Sequence, residues 1–157
     1  MVPLVVDEAW LPTLITARAL QRGITMVKVS PEIKAVFEKQ RVIPMSTADK
    51  KARPNVILVG MWYWADDETL VVSDNYLNKT KVNLLENPVV AFNGWADGKS
   101  YQIKCNVHWE TTGPRFEQIR KMATNGTRQF PGKAAVVCSV EEVYQGSGGD
   151  GAGKKLV

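Results

Sequence analysis

Between residues 41 and 140 the apolar positions fall in short runs separated by polar turns, the spacing of strands. The clearest period-two stretch is 101–111, where Ile103, Cys105, Val107 and Trp109 alternate with Gln102, Lys104, Asn106 and His108. Such alternation puts one set on a core face and the other on the opposite face. Comparable strands are expected over 41–48, 55–65, 69–73, 89–95 and 134–140. Turn residues separate them: residues 49–54 after the first, Asp66, Asp67 and Glu68 after the second, and Asp97-Gly98 before the long strand.

Helical spacing appears in four places. Leu11, Leu14, Ile15 and Leu20 share a face over 7–21. Ser30 followed by Pro31 is an N-cap and first-turn signal ahead of Ile33, Val36 and Phe37. A short helix from Lys79 carries Val82, Leu84 and Leu85 and stops at Asn87-Pro88, where the ring bars continuation. Phe116, Ile119 and Met122 mark a last helix after the Gly113-Pro114 break. Six strands joined mostly by tight turns, with short helices between them, predict a mainly β protein built as an antiparallel barrel, not alternating βαβ units.

The chain of 157 residues suits one domain with a real core. Three segments are expected: an N-terminal extension over 1–25 with a short helix, a barrel over 26–145, and a glycine-rich tail over 146–157. The formal charge is +4, with cations interspersed among acids, which permits an anionic ligand without requiring nucleic acid. Cys105 and Cys138 stand alone in apolar runs, with no CxxC or Cys/His cluster, so they read as core thiols in a reducing compartment and no metal site is expected. Early acids at Asp7 and Glu8 disfavour a secretory signal, and no apolar run reaches the roughly 18 residues of a membrane span. A cytoplasmic protein is the expectation.

Residues 73–80 (Ser-Asp-Asn-Tyr-Leu-Asn-Lys-Thr) hold the candidate chemistry, running from an apolar strand through a polar turn into a helix that opens with Lys79 and Thr80. Free backbone N–H groups, the positive end of the helix dipole, an ammonium and a hydroxyl together suit a phosphate. The plainer alternative is that Asn78 caps the helix and Lys79 is a solvated charge. His108, the sole histidine, lacks a partner legible in the sequence and reads as a surface residue; no catalytic residue is nominated. Trp62, Tyr63 and Trp64 suit a core, an interface or a stacked ring. A single-stranded nucleic-acid module is the competing reading, but Asp66, Asp67 and Glu68 beside those aromatics would repel a phosphate backbone. The glycine and lysine spacing of 148–154 is that of a P-loop, yet Lys155 replaces the Ser or Thr and no helix can follow, so a flexible tail, able to fold over a ligand, is expected instead.

The order and spacing of four stretches, residues 48–56, 73–80, 101–114 and 133–137, resemble the flavin mononucleotide (FMN)-binding split β-barrel family of pyridoxamine 5'-phosphate oxidase-like proteins, over about 30–144. The resemblance implies a six-stranded antiparallel split barrel and a homodimer with FMN between subunits. It implies that Lys79 and Thr80 bind the FMN phosphate and that Ser73, Asp74 and Asn75 line the ribityl chain and flavin edge. Backbone groups of Val59 and Gly60 would face the ring, and Gln102 would be a polar side chain near the cofactor. The family's oxidases carry further C-terminal Arg and His groups for substrate, whereas this chain ends with Lys154 and Lys155 in a glycine-rich tail, which argues against vitamin B6 oxidation.

Overall fold

A computed structural model describes residues 25–157, so the helix expected over 7–21 lies outside the described residues. The elements in chain order are α1 (Pro31–Lys39), β1 (Ile43–Ala48), β2 (Pro54–Val59), β3 (Trp62–Trp64), β4 (Thr69–Ser73), α2 (Lys79–Glu86), β5 (Val89–Ala96), β6 (Lys99–Glu110), α3 (Pro114–Thr124) and β7 (Ala135–Gln145). All neighbouring strands are antiparallel, in the order β2-β1-β5-β6-β7-β4-β3.

Two numbers make this sheet a barrel. Laid flat, its seven strands would put β2 and β3 six spacings apart, roughly 29 Å. Yet only Gly60 and Met61 separate Val59 from Trp62, a span of at most about 11 Å. The sheet therefore curls until its edges meet. The run 55–65 expected as one strand is two, broken at this corner, which raises the strand count from six to seven and leaves the fold class as expected.

Ile103, Cys105 and Val107 of β6 point inward and are essentially buried, as their alternation requires. They meet Met45, Leu70, Val90, Phe92, Val136 and Cys138 from the other strands. Each such fully buried aliphatic or aromatic side chain contributes about 1.5–3 kcal/mol relative to exposure. Asp97 and Gly98 join β5 to β6 with φ of 51° and 75°, the two positive angles a tight I′ hairpin turn demands.

Helix α1 begins as its sequence specifies, with the Ser30 hydroxyl accepting from Ile33 N–H at 3.4 Å and Pro31 in the first turn. It drives Phe37 into the core, edge-on to Trp64 at 5.9 Å. Gly94 lies against that ring: a Cβ there would sit 2.6 Å from Phe37 Cδ2, so any side chain would displace it. Helix α3 covers a second, smaller cluster on the outer face, where Ile119 meets Val71, Ala135 and Val137.

The tail does not hang free. Strand β7 extends past its pairing with β4, and the exposed edge is taken by the chain's last residues: Leu156 N–H donates to Val143 O at 2.8 Å, and Gln145 N–H to Lys154 O at 2.9 Å. Lys155 bridges to Tyr144 through the backbone and reaches Glu142 with its ammonium at 3.2 Å. The P-loop-like spacing thus marks a hairpin that caps a strand edge.

Candidate functional site

The segment 73–80 crosses the split in the barrel. At its start, Ser73 N–H donates to Met61 O at 3.0 Å, beside the corner where β2 ends. At its end, the Thr80 hydroxyl accepts from Asn55 Nδ2 at 3.0 Å, at the opposite end of β2. The crossing therefore runs the length of this edge strand.

Three side chains fix its path. Asn75 Oδ1 accepts from the Ser73 hydroxyl at 3.0 Å and from Gly132 N–H at 2.9 Å, while its Nδ2 points to Met61 Sδ at 3.5 Å. Asp74 is buried and extends the β4–β7 ladder by one residue, donating to Ala134 O and accepting from Lys133 N–H. Its carboxylate accepts from Leu77 N–H at 3.3 Å and lies 3.4 Å from the Lys81 ammonium; Oδ2 has charge compensation there but no hydrogen bond. Asn55 Nδ2 serves Thr47 as well as Thr80, and Asn83 Nδ2 also donates to Thr47 Oγ1 at 3.1 Å. This network pins the start of α2 across the β1–β2 hairpin.

The two residues expected to share a phosphate point differently. Lys79 is exposed and has no carboxylate partner among the described residues. Thr80 is buried, and its oxygen is already occupied as an acceptor, which leaves its proton to donate. Asn78 makes no side-chain cap, so the first N–H groups of α2 are not satisfied by it.

Val59 faces the core, and Gly60 is exposed; the residue that follows them, Met61, is the one that meets Ser73 and Asn75 at the corner. Gln102 does not join them directly; its amide donates to Asn93 Oδ1 at 3.2 Å. It shares the outer face of the sheet with Leu58, three strands away, about 14 Å. On that face Val56 and Leu58 are 61% and 70% exposed, an unusual state for apolar residues on an edge strand. The nominated residues thus border an open surface instead of lining one enclosed pocket.

Sequence reasoning passed over Asn55, Met61, Lys81 and Gly132. Asn55 stands in a stretch that was singled out, on the inward parity of β2, and that parity was the available signal. His108 does have a partner: its Nε2 is 3.2 Å from Glu110 Oε1, which also accepts from Arg115 at 2.9 Å. Two residues along one strand share a face, so that pair was legible too. Glu110 and Arg115 line a separate cleft of about 730 Å³ with Tyr63, whose burial raises its phenol pKa; none of the nominated residues lines it. Among the described residues no helix is long and apolar enough to cross a membrane.

Residues 29–146 match the family model described as Pyridoxamine 5'-phosphate oxidase. An uncharacterized protein of Methanocaldococcus jannaschii is 30% identical over 138 residues, 85% of this chain and 91% of its own. Among solved structures, HupZ of Group A Streptococcus superposes with a TM-score of 0.68 at 23% identity, covering 80% of this chain and 99% of that one. An FMN-binding protein of Syntrophomonas wolfei gives 0.63 at 19% identity, covering 86% and 97%. HutZ, a heme storage protein of Vibrio cholerae, gives 0.53 at 17%, covering 78% and 98%. At these identities the structural likeness is one of fold.

Proposed function

Because the chain belongs to the pyridoxamine 5'-phosphate oxidase family, we propose that it binds FMN across the segment 73–80 and the outer face of β2. One combination carries the reading: Lys79 opens an uncapped helix whose next residue, Thr80, is held by Asn55 of β2, and the same strand presents the exposed apolar side chains of Val56 and Leu58. FMN has a dianionic end and a flat, largely apolar end, and these need opposite surroundings. Lys79 and the first N–H groups of α2 would hold the phosphate, with the Thr80 hydroxyl donating its remaining proton. Ser73, Asp74 and Asn75 would line the ribityl chain. At Gly60 the missing Cβ lets a ring approach backbone, with Val59 contributing its own backbone groups. Gln102 would contact the ring's polar edge.

Bound FMN supplies hydride or electron transfer between a donor and an acceptor. The chain supplies position, and N–H donors that stabilise negative charge on the reduced ring. The protein is accordingly a flavin-dependent oxidoreductase or an electron carrier. A homodimer completes the site, the second copy covering Val56 and Leu58 and closing the open face over the cofactor. The buried free thiols Cys105 and Cys138 suit a reducing, cytoplasmic setting.

The test is a visible spectrum of the purified protein before and after incubation with FMN and removal of the excess, with hemin run in parallel. Retained flavin bands near roughly 370 and 450 nm support the reading. A protein that stays colourless with FMN, or that retains hemin and no flavin, overturns it.

A further inference from the structure

The charge of this chain is concentrated in one place. Residues 115–133 hold five cations, Arg115, Arg120, Lys121, Arg128 and Lys133, against one carboxylate, Glu117, so this stretch carries +4, the whole formal excess of the chain. Arg115 is paired with Glu110, while the other four have no carboxylate partner among the described residues. Arg120, Lys121, Arg128 and Lys133 are all exposed. Elsewhere among the described residues seven of thirteen cations have a carboxylate partner, as in Lys34 with Asp67, Lys99 with Glu32 and Lys104 with Glu142.

The patch is continuous with the segment 73–80. Gly132 packs on Arg120 and Ala123, so closely that a Cβ would come within 2.9 Å of Ala123 Cβ. Its N–H is the one held by Asn75, and Lys133 N–H donates to Asp74 O. Two of the cations are also held in place: the Arg120 guanidinium lies 5.9 Å from the Phe116 ring and that of Arg128 5.2 Å from Phe130. Heads stacked in this way lose less freedom on meeting a partner.

We propose that this face, formed by the second half of α3 and the loop to β7, docks a protein that presents clustered carboxylates, bringing that partner beside the FMN site. The inference rests on the flavin reading for its purpose, since a partner seated here would stand next to the cofactor and could exchange electrons with it. Nucleic acid fits less well. The aromatic rings of this face, Phe116 and Phe130, are half-buried, and each already has a guanidinium over it, from Arg120 and Arg128, where a base would stack.

The probe is a dye-labelled oligoglutamate of roughly 20 residues, followed by fluorescence anisotropy at low ionic strength and then across a salt series. Two triple variants remove equal charge: R120Q/R128Q/K133Q on the patch and K50Q/K51Q/K154Q away from it. The expected result is binding by the parent that weakens with salt, a loss of about tenfold or more in the patch variant, and less than about twofold in the other. Absent binding, equal losses in both variants, or tighter binding of an oligothymidylate of the same length overturns the proposal. The assay runs on protein without added flavin, and FMN retention is scored separately, so failure of one reading is distinguishable from failure of the other.

Discussion

The Thr80 hydroxyl and the Asn55 side-chain amide meet at 3.0 Å, joining the first turn of α2 to the beginning of an edge strand. The same Asn55 nitrogen serves Thr47 at 3.3 Å, so one amide holds helix, edge strand and its neighbour together. Asn55→Ala leaves the buried Thr80 without its donor and Thr47 with Asn83 alone, and should cost about 1–3 kcal/mol. Urea unfolding would show it as a lower midpoint with an unchanged slope.

Lys79→Ala separates binding from folding. The ammonium has no carboxylate partner among the described residues, so its loss should leave the melting temperature within about 1 °C, a surface substitution's usual effect. FMN affinity should fall roughly ten- to a hundredfold, the worth of a charge-assisted contact to phosphate. Titration of apoprotein decides it, and unchanged affinity removes Lys79 from the phosphate site.

Gly94→Ala places a methyl group 2.6 Å from the ring of Phe37, which is fully buried against Trp64. Overpacking of this kind costs about 1–3 kcal/mol. A Gly94→Ala, Phe37→Leu double variant should recover part of that loss in thermal unfolding, because the smaller side chain vacates the contested space.

Both thiols are fully buried, and burial pushes them well above the ordinary range. They therefore stay protonated in the folded chain while an unfolded thiol ionises from about pH 8.5. Raised folded pKa values mean full stability below that pH and a decline above it, by about 1.4 kcal/mol per pH unit for each thiol. Unfolding free energies measured from pH 7 to 10 should show the fall, and a Cys105→Ala, Cys138→Ala variant should flatten it. Thiol reagents should find neither residue without unfolding.

Removing residues 154–157 deletes three backbone hydrogen bonds to Val143 and Gln145 together with the Lys155–Glu142 pair. The expected cost is about 1–3 kcal/mol, since these bonds lie at the surface. Hydrogen exchange gives the sharper readout: the Val143 and Gln145 amides should be protected in the full chain and exchange freely in the shortened one.

Local chemistry made much of the fold legible. The β6 alternation assigned Ile103, Cys105 and Val107 to the core, Ser30-Pro31 marked the start of α1, and Asp97-Gly98 marked a hairpin. What escaped depends on residues far apart in sequence. The break at Gly60 and Met61 lies within a run apolar on both sides, and only the meeting of the sheet's edges requires it. Asn75 is positioned by Gly132, 57 residues away, and Thr80 turns inward because Asn55 waits there, 25 residues back. No local pattern encodes either pairing. The tail was read as free because glycine and lysine say nothing of the unpaired edge of β7 that receives them.

The two-residue link between β2 and β3 has a kinetic consequence. Three strand pairs are local hairpins, β1 with β2, β3 with β4 and β5 with β6, and can zip from their turns in microseconds. The β1–β5 and β4–β7 ladders join residues such as Met45 with Phe92 and Leu70 with Cys138, and each must close a long loop before it gains anything. Gly60 and Met61 tether two hairpins whose other edges wait for strands not yet in place. Refolding should therefore run on the millisecond-to-second scale of non-local β topologies, with β2 and β3 adjacent from the outset and the barrel wall between them completed last.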